Sequence, residues 1–255
     1  MNALFHHDIA VAVLGSGSSG NATYITDGHQ GVLIDCGLST KQIRLRMAAV
    51  GLEDAPIDAV LITHEHSDHV GAAGVLDRHL FKKTGERVPF YMSYGTRHNL
   101  HPKCVPERRE RVIPGQPFAL GSWRVEPILI PHDTPEPVAY TVQMGNARVG
   151  VMTDFGSRTR LISKQLASLD IAVLEFNHDE EMLRDGPYPW QLKQRIDGAR
   201  GHLSNRVASE MLQDALSAGR LSQVVCAHLS DDNNREDKAL MAAEAAVMRA
   251  GRGDV

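Results

Sequence analysis

Cysteine is scarce in this sequence, and what there is stands apart. Cys36, Cys104 and Cys226 are the three thiols, with no C-x-x-C among them. Such a set builds neither a disulfide framework nor a thiolate metal site, and it suits a reducing compartment. No apolar run approaches the ~20 residues of a membrane span, so no transmembrane helix is expected. The opening stretch MNALFHHDIAVAVLGSG lacks the basic region and cleavage-type site of a signal peptide. A cytoplasmic location is therefore expected. A basic excess is missing too: 27 Lys+Arg against 31 Asp+Glu leave a net charge of −4. That excludes a bulk nucleic-acid condenser but leaves room for a local basic groove. There is no internal repeat, no low-complexity tract and no linker-like Pro/Gly/Ser stretch, so one domain over 1–255 is expected. A chain of 255 residues buries on the order of 70–75% of its unfolded surface, enough to hold a core without staples.

Short, continuous apolar runs recur at Ile9–Leu14, Val32–Ile34, Ala59–Ile62, Ile128–Ile130, Val149–Met152, Ile171–Leu174 and Val224–Ala227. Continuity rather than alternation predicts strands covered on both faces. Helical spacing appears over Lys41–Val50, Thr159–Leu169, Asn205–Ala218 and 237–250, with Gly51 and Gly219 as stops. Pro89 to Asp154 reads as mainly β, with turns at Pro114-Gly115, Gly121-Ser122 and Gly145-Asn146. The mixture predicts an α/β fold with helices outside and sheet inside.

Histidine is abundant, at 13 residues, and its placement is ordered. The apolar runs are followed by Asp35, His64, His132, Asp154, His178 and His228. Ligand sites in α/β folds form beyond the carboxyl ends of strands, so these residues predict one edge where side chains converge. The densest signal is His64-Glu65-His66-Ser67-Asp68-His69. Imidazole and carboxylate with no competing thiolate suit Zn, Mn or Fe. On a regular strand His64 and His66 would share a face. A following helix over Val70–Leu80, capped by Ser67 or Asp68, would turn Asp68 and His69 toward a second metal position. Asp35 is expected to bond the backbone or a ligating histidine rather than the metal itself.

Gly15-Ser-Gly17-Ser-Ser-Gly20 matches the G-x-G-x-x-G pattern of dinucleotide sites. There the last glycine must open a helix. Here it is followed by Asn-Ala-Thr-Tyr-Ile-Thr, which alternates like a strand and predicts a tight hairpin instead.

The H-x-H-x-D-H stretch at 64–69, with Asp35, His132, Asp154 and His228 in that order, resembles the metallo-β-lactamase fold superfamily of metal-dependent hydrolases. LGSGSSGNATYI (14–25), FNHDEEMLRDGPYPWQLKQRI (176–196), GHLSN (201–205) and HLSDDNN (228–234) resemble its YycJ/WalJ-type branch. The resemblance implies a four-layer αββα sandwich of two mixed sheets. It implies two divalent ions: one on His64, His66 and His132, the other on Asp68, His69 and His228, with Asp154 as bridge. It also implies phosphodiesterase or nuclease activity, with 5′→3′ exonuclease action on DNA suggested. The large inserted domain of the superfamily's RNA-processing nucleases is missing, so their substrates do not carry over.

Two cations about 3.5–4 Å apart would hold a hydroxide and clamp the attacking and leaving oxygens. Asp68 is expected to orient or deprotonate that water, and His202 to protonate the leaving group. His178 and Ser204 are expected to meet substrate phosphate, beside the N-terminus of the Asn205 helix. Over 97–111, Arg97, Lys103, Arg108, Arg109 and Arg111 against Glu107 and Glu110 give a local +3, read as a solvated face or a contact for strand phosphate. The alternative activities are carbon-centre hydrolysis of a thioester, lactone or β-lactam on the same metals, and a metal-binding signalling module without turnover.

Overall fold

The computed structural model describes residues 3–6 and 9–255, with side chains from Ile9 onward. The elements in chain order are β1 (Ala3–His6), β2 (Ile9–Gly15), β3 (Ala22–Thr26), β4 (Gly31–Ile34), α1 (Thr40–Ala49), β5 (Ala59–Leu61), α2 (Ser67–Val70), α3 (Ala73–Thr84), β6 (Phe90–Met92), α4 (Tyr94–Asn99) and β7 (Arg109–Arg111). They continue with β8 (Phe118–Leu120), β9 (Trp123–Leu129), β10 (Val138–Met144), β11 (Ala147–Met152), α5 (Arg160–Leu166), β12 (Ile171–Glu175), α6 (Glu180–Asp185), α7 (Trp190–Ile196), α8 (Asn205–Ser217), β13 (Gln223–Ala227) and α9 (Glu236–Ala250). No helix among the described residues is long and apolar enough to cross a membrane.

The chain forms two compact units, one of residues up to 129 with 134–140, the other of 130–133 with 141–255. The first holds a seven-stranded sheet in the order β1-β2-β3-β4-β5-β6-β7. Its strands pair antiparallel from β1 to β4 and parallel from β4 to β7. Its core gathers Leu14, Tyr24, Leu33, Ile43, Val60, Ile62, Leu76 and Phe90. The six-stranded sheet is ordered β13-β12-β11-β10-β9-β8. Its β8–β9 pair is an antiparallel hairpin, and in the second unit β11, β12 and β13 run parallel. In that unit α8 buries Met211, Leu212, Ala215 and Leu216, each leucine side chain contributing ~1.5–3 kcal/mol by leaving water.

The expected strands form, and β3, β4, β5 and β12 are buried along their whole length. Strand β13 is only half-buried because it is a sheet edge. Of the Ile128–Ile130 run, Ile128 and Leu129 close β9, but β9 alternates in burial and Leu129 is exposed, so this run is not covered on both faces as expected. Gly15–Gly20 links the antiparallel β2 and β3, with no helix after Gly20. Three expectations are corrected. The helix expected over Val70–Leu80 is two helices, broken at Gly71-Ala72, where the Cys36 carbonyl accepts the Ala72 N–H. Ser67 and Asp68 lie inside α2 rather than capping it, since the cap position is His66. His64 and His66 stand beyond the end of β5 rather than on it. The stretch from Pro89 to Asp154 also holds α4 and a 3₁₀ turn at Pro102–Cys104.

Parallel register levels the strand ends. In the first unit Ile34 pairs Leu61, so Asp35 leaves β4 beside the chain leaving β5, and its N–H donates to the Leu61 carbonyl. In the second unit Met152 pairs Leu174 and Glu175 pairs Ala227, which brings Asp154, Glu175 and His228 to one edge.

Candidate metal centre

In the first unit the cluster is built by backbone first. The loop after β4 lies directly against the turn that carries Asp68. Cys36 N–H donates to the His69 carbonyl and Asn21 N–H to the Asp68 carbonyl. A side chain at Gly37 would overlap the Asp68 backbone, which only glycine avoids. The three imidazoles are close: the His64 and His69 ring centres are 4.0 Å apart, and His64 Nε2 lies 3.1 Å from His66 Nδ1. Asp35 is buried and orders the group. Its Oδ1 accepts the Thr63 N–H, and its Oδ2 accepts the Thr63 hydroxyl and meets His69 Nδ1 at 2.8 Å. That pairing puts the His69 proton on Nδ1 and turns Nε2 toward Asn21 Nδ2 at 3.0 Å and Asp68 Oδ2 at 3.3 Å. Burial raises the Asp35 pKa, with His69 opposing it.

In the second unit Asp154, Glu175, His202 and His228 each offer a ligand atom, all within 4.8 Å of one another. Glu175 organises them. Its Oε1 meets His202 Nδ1 at 2.8 Å and His228 Nδ1 at 2.9 Å, while Oε2 accepts the N–H groups of Phe155 and Leu203. Burial alone would raise its pKa, but His202 and His228 together hold it far below the usual carboxylate range. His228 then presents Nε2 to Asp154 Oδ1 at 3.3 Å. Burial disfavours charge on His202, yet Glu175 and Asp154 raise its pKa above the ordinary imidazole value. His132 has its Nδ1 3.3 Å from the Gly201 carbonyl, and its ring centre is 5.3 Å from that of His202. Burial lowers the His132 pKa.

Asp35, Asp154 and His228 are the non-glycine residues with positive φ among the described residues, at 62°, 62° and 57°. Each immediately follows or nearly follows a strand, and the left-handed turn re-aims the side chain off the sheet. Such strain persists only where surrounding structure fixes it, and it gathers at functional sites.

His178 and Ser204 are buried. Ser204 Oγ caps α8 by accepting the Val207 N–H and donates to Glu180. His178 Nε2 lies 3.7 Å from an Asp197 carboxylate oxygen, and burial lowers its pKa. Both face carboxylates. Over 97–111, β7 is the edge strand of its sheet, Arg108 pairs with Glu110, and Arg111 lies 5.2 Å over the Tyr94 ring. The residues missed in the sequence are Glu175, Asn21 and Thr63. The signal for Glu175 was a lone carboxylate closing the apolar run IAVLE.

The donor set fits divalent transition-metal ions. It is imidazole and carboxylate, and none of the candidate ligand groups among the described residues includes a cysteine. His69, His132 and His228 each direct Nδ1 to a carboxylate or carbonyl, the arrangement that fixes the tautomer of a metal-bound histidine.

A profile described as "Beta-lactamase superfamily domain" matches residues 30–228. The exodeoxyribonuclease WalJ of Streptococcus pneumoniae (strain D39) is 32% identical over 236 residues, 90% of this chain and 85% of its own. The exodeoxyribonuclease YycJ of Bacillus anthracis is 31% identical over 245 residues, 95% of this chain and 90% of its own. The crystal structure of the metallo-β-lactamase fold protein YhfI from Bacillus subtilis superposes with a TM-score of 0.70 at 18% identity, covering 93% of this chain and 92% of its own. The expected fold class is thus the one found, and the chain belongs to the beta-lactamase superfamily, in its metallo-β-lactamase fold.

Proposed function

We propose that this protein is a two-metal phosphodiesterase that degrades nucleic-acid strands, with 5′→3′ exonuclease action on DNA. The observation that carries the reading is the buried Glu175 carboxylate holding His202 and His228 on one oxygen beside Asp154. The geometry equips one imidazole to give up a proton next to ligands for a cation. The named activity of relatives matching nine-tenths of the chain supplies the substrate class.

The ligands of the proposal are His64, His66 and His132 for one ion, Asp68, His69 and His228 for the other, and Asp154 for both. Zinc and manganese both suit this set. When bound, such ions supply charge neutralisation at the phosphoryl oxygens and a water acidified to near neutral pH. Asp68 would accept a proton from the attacking water. Asp35 holds His69, and Glu175 holds His228, in the tautomer that ligates through Nε2. His202, its Nδ1–H fixed on Glu175, keeps a proton at Nε2 for the leaving oxygen. The carboxylate offsets the developing and departing charge on the ring. In this proposal His178 and Ser204 meet substrate phosphate; Ser204 Oγ donates to Glu180, and His178 Nε2 lies 3.7 Å from an Asp197 carboxylate oxygen. Three free cysteines support a reducing, cytoplasmic setting.

The test is hydrolysis by metal-reloaded protein of labelled single- and double-stranded DNA and RNA with 5′-hydroxyl or 5′-phosphate ends, beside bis-p-nitrophenyl phosphate, nitrocefin and a thioester. The expected result is cleavage of DNA strands and of the small diester. Turnover confined to nitrocefin or the thioester would move the reaction to carbon. Bound metal with no turnover on any of them would make the site a binding module.

A further inference from the structure

The stretch 176–196 contributes His178 to the reading above and otherwise leaves α6 and α7 unexplained. Helix α7 buries none of its residues fully. It is held instead by polar ties. Lys193 Nζ donates to the Arg184 and Gly186 carbonyls at 2.6 and 2.7 Å, closing the α6–α7 turn. Arg195 donates to Asp133, the neighbour of His132, at 2.6 Å. Leu192 and Ile196 are half-buried, and the outer face of the helix is open to solvent. That face opens with Trp190, whose side chain is 69% exposed. The second tryptophan, Trp123, is buried and bonded to Asp27.

Trp190 lines a cavity of about 440 Å³ together with Arg184, Lys193, Arg206, Glu180 and Asp197. That volume is within the range that takes a small organic ligand. Three cations face two carboxylates around it. Arg184 and Arg206 spend their guanidinium groups on exposed ion pairs, to Asp185 and to Glu180 and Glu210. Such exposed pairs are worth little and are readily exchanged for a phosphate. Lys193 has a third N–H beyond the two given to carbonyls. The cavity also adjoins the chemistry: Asp197 faces the fully buried His178, whose ring nitrogens have no hydrogen-bond partner, and Glu180 accepts from Ser204, two residues after His202.

An indole plate beside cations is the arrangement that holds single-stranded nucleic acid, base on ring and backbone on cations. We propose that this cavity is a nucleotide subsite, in which Trp190 stacks one unpaired base of the substrate strand while Arg184, Lys193 and Arg206 take its phosphate. The proposal rests on the nuclease reading and names where that substrate is gripped.

The test measures binding of a labelled dT oligonucleotide with cleavage-resistant phosphorothioate links to metal-loaded wild type, Trp190→Ala and Trp190→Phe, with an abasic strand of equal length as control. Stacking one base is worth about 5- to 150-fold in affinity. Trp190→Ala should lose that factor on the dT strand and Trp190→Phe should recover most of it. The abasic strand should bind wild type weakly and lose nothing further with Trp190→Ala. Turnover of bis-p-nitrophenyl phosphate should be the same in all three proteins. Equal affinities across variants and strands would overturn the subsite. Wild type that cuts an ordinary strand with no dependence on Trp190 refutes the subsite and keeps the nuclease reading. Wild type that shows the dependence but leaves the strand uncut keeps the subsite and refutes the nuclease reading.

Discussion

At the scale of single residues the site is governed by two buried carboxylates that serve histidines. Asp35 orders His69 and Glu175 orders His202 and His228. Asp154 differs, because its carboxylate faces His228 and His202 directly, at 3.3 and 3.7 Å. As the shared ligand proposed above it would govern both ions, so Asp154→Ala is expected to lower metal content and abolish turnover, read by metal analysis and diester hydrolysis on the same preparation. Retention of both ions with near-wild-type rates would remove it from the ligand set. His202 gives a different signature. A general acid contributes about 10²–10⁴-fold. His202→Ala should slow a poor leaving group by that order, keep its metal, and affect p-nitrophenolate release much less, since that anion departs without a proton. Equal losses on both substrates would assign His202 to phosphate binding.

Elements carry the site through their ends. Strands β4, β11 and β13 each hand over to a left-handed residue, and short helices begin where loops must stop. Helix α6 shows how. Its cap is Asp179, which accepts the Met182 N–H and pairs with Lys238 at 2.9 Å. Burial would raise the Asp179 pKa, but these bonds outweigh it and hold the carboxyl below its usual value. Asp179→Ala should therefore cost about 1 kcal/mol of stability. Asp179→Asn, which still caps but cannot pair with Lys238, should cost less. The sign with pH follows from the depressed value. The contribution is complete above the unfolded carboxylate pKa of about 3.9 and is lost as pH falls through the lower folded value. Denaturation midpoints of wild type and Asp179→Ala should thus differ at pH 7 and converge on acidification below about 4. A gap that stays constant over that range would mean that the charge of Asp179 plays no part.

For the whole molecule the expected stoichiometry is two transition-metal ions per chain, and metal analysis of reloaded protein giving one or none would end the dinuclear assignment. Ions that bind only the folded chain stabilise it by about 2.7 kcal/mol at a hundredfold excess over Kd. Chelation should therefore lower the melting temperature, and reloading should restore it. Net charge is −4, so attraction to a strand has to come from local patches. Arg108, Arg109 and Arg111 form one candidate on and beside the β7 edge. Their triple alanine variant should raise KM for an oligonucleotide and flatten its salt dependence, by about 0.7 in the log–log slope per lost contact to a single strand. Small-diester hydrolysis should be unchanged. Superimposable salt titrations would return this stretch to a solvated face.

By itself the sequence determined the α/β class, the strands and most of the histidine and aspartate positions at their ends. These are local properties. A buried strand is a short apolar run, and a residue that closes such a run is conspicuous when it is His or Asp. The tertiary structure alone decided Glu175, because its role exists only when His202 and His228, 27 and 53 residues further along, arrive at one oxygen. It decided the break between α2 and α3 in the same way. Periodicity continues through Gly71-Ala72, but the Cys36 carbonyl, distant in sequence, claims the Ala72 N–H. It also turned Trp190 outward, beside cations that reach the same cavity from α6, α7 and α8. Spacing along a chain encodes which backbone forms where, whereas a hydrogen bond across many residues depends on parallel register and packing, which no local window contains.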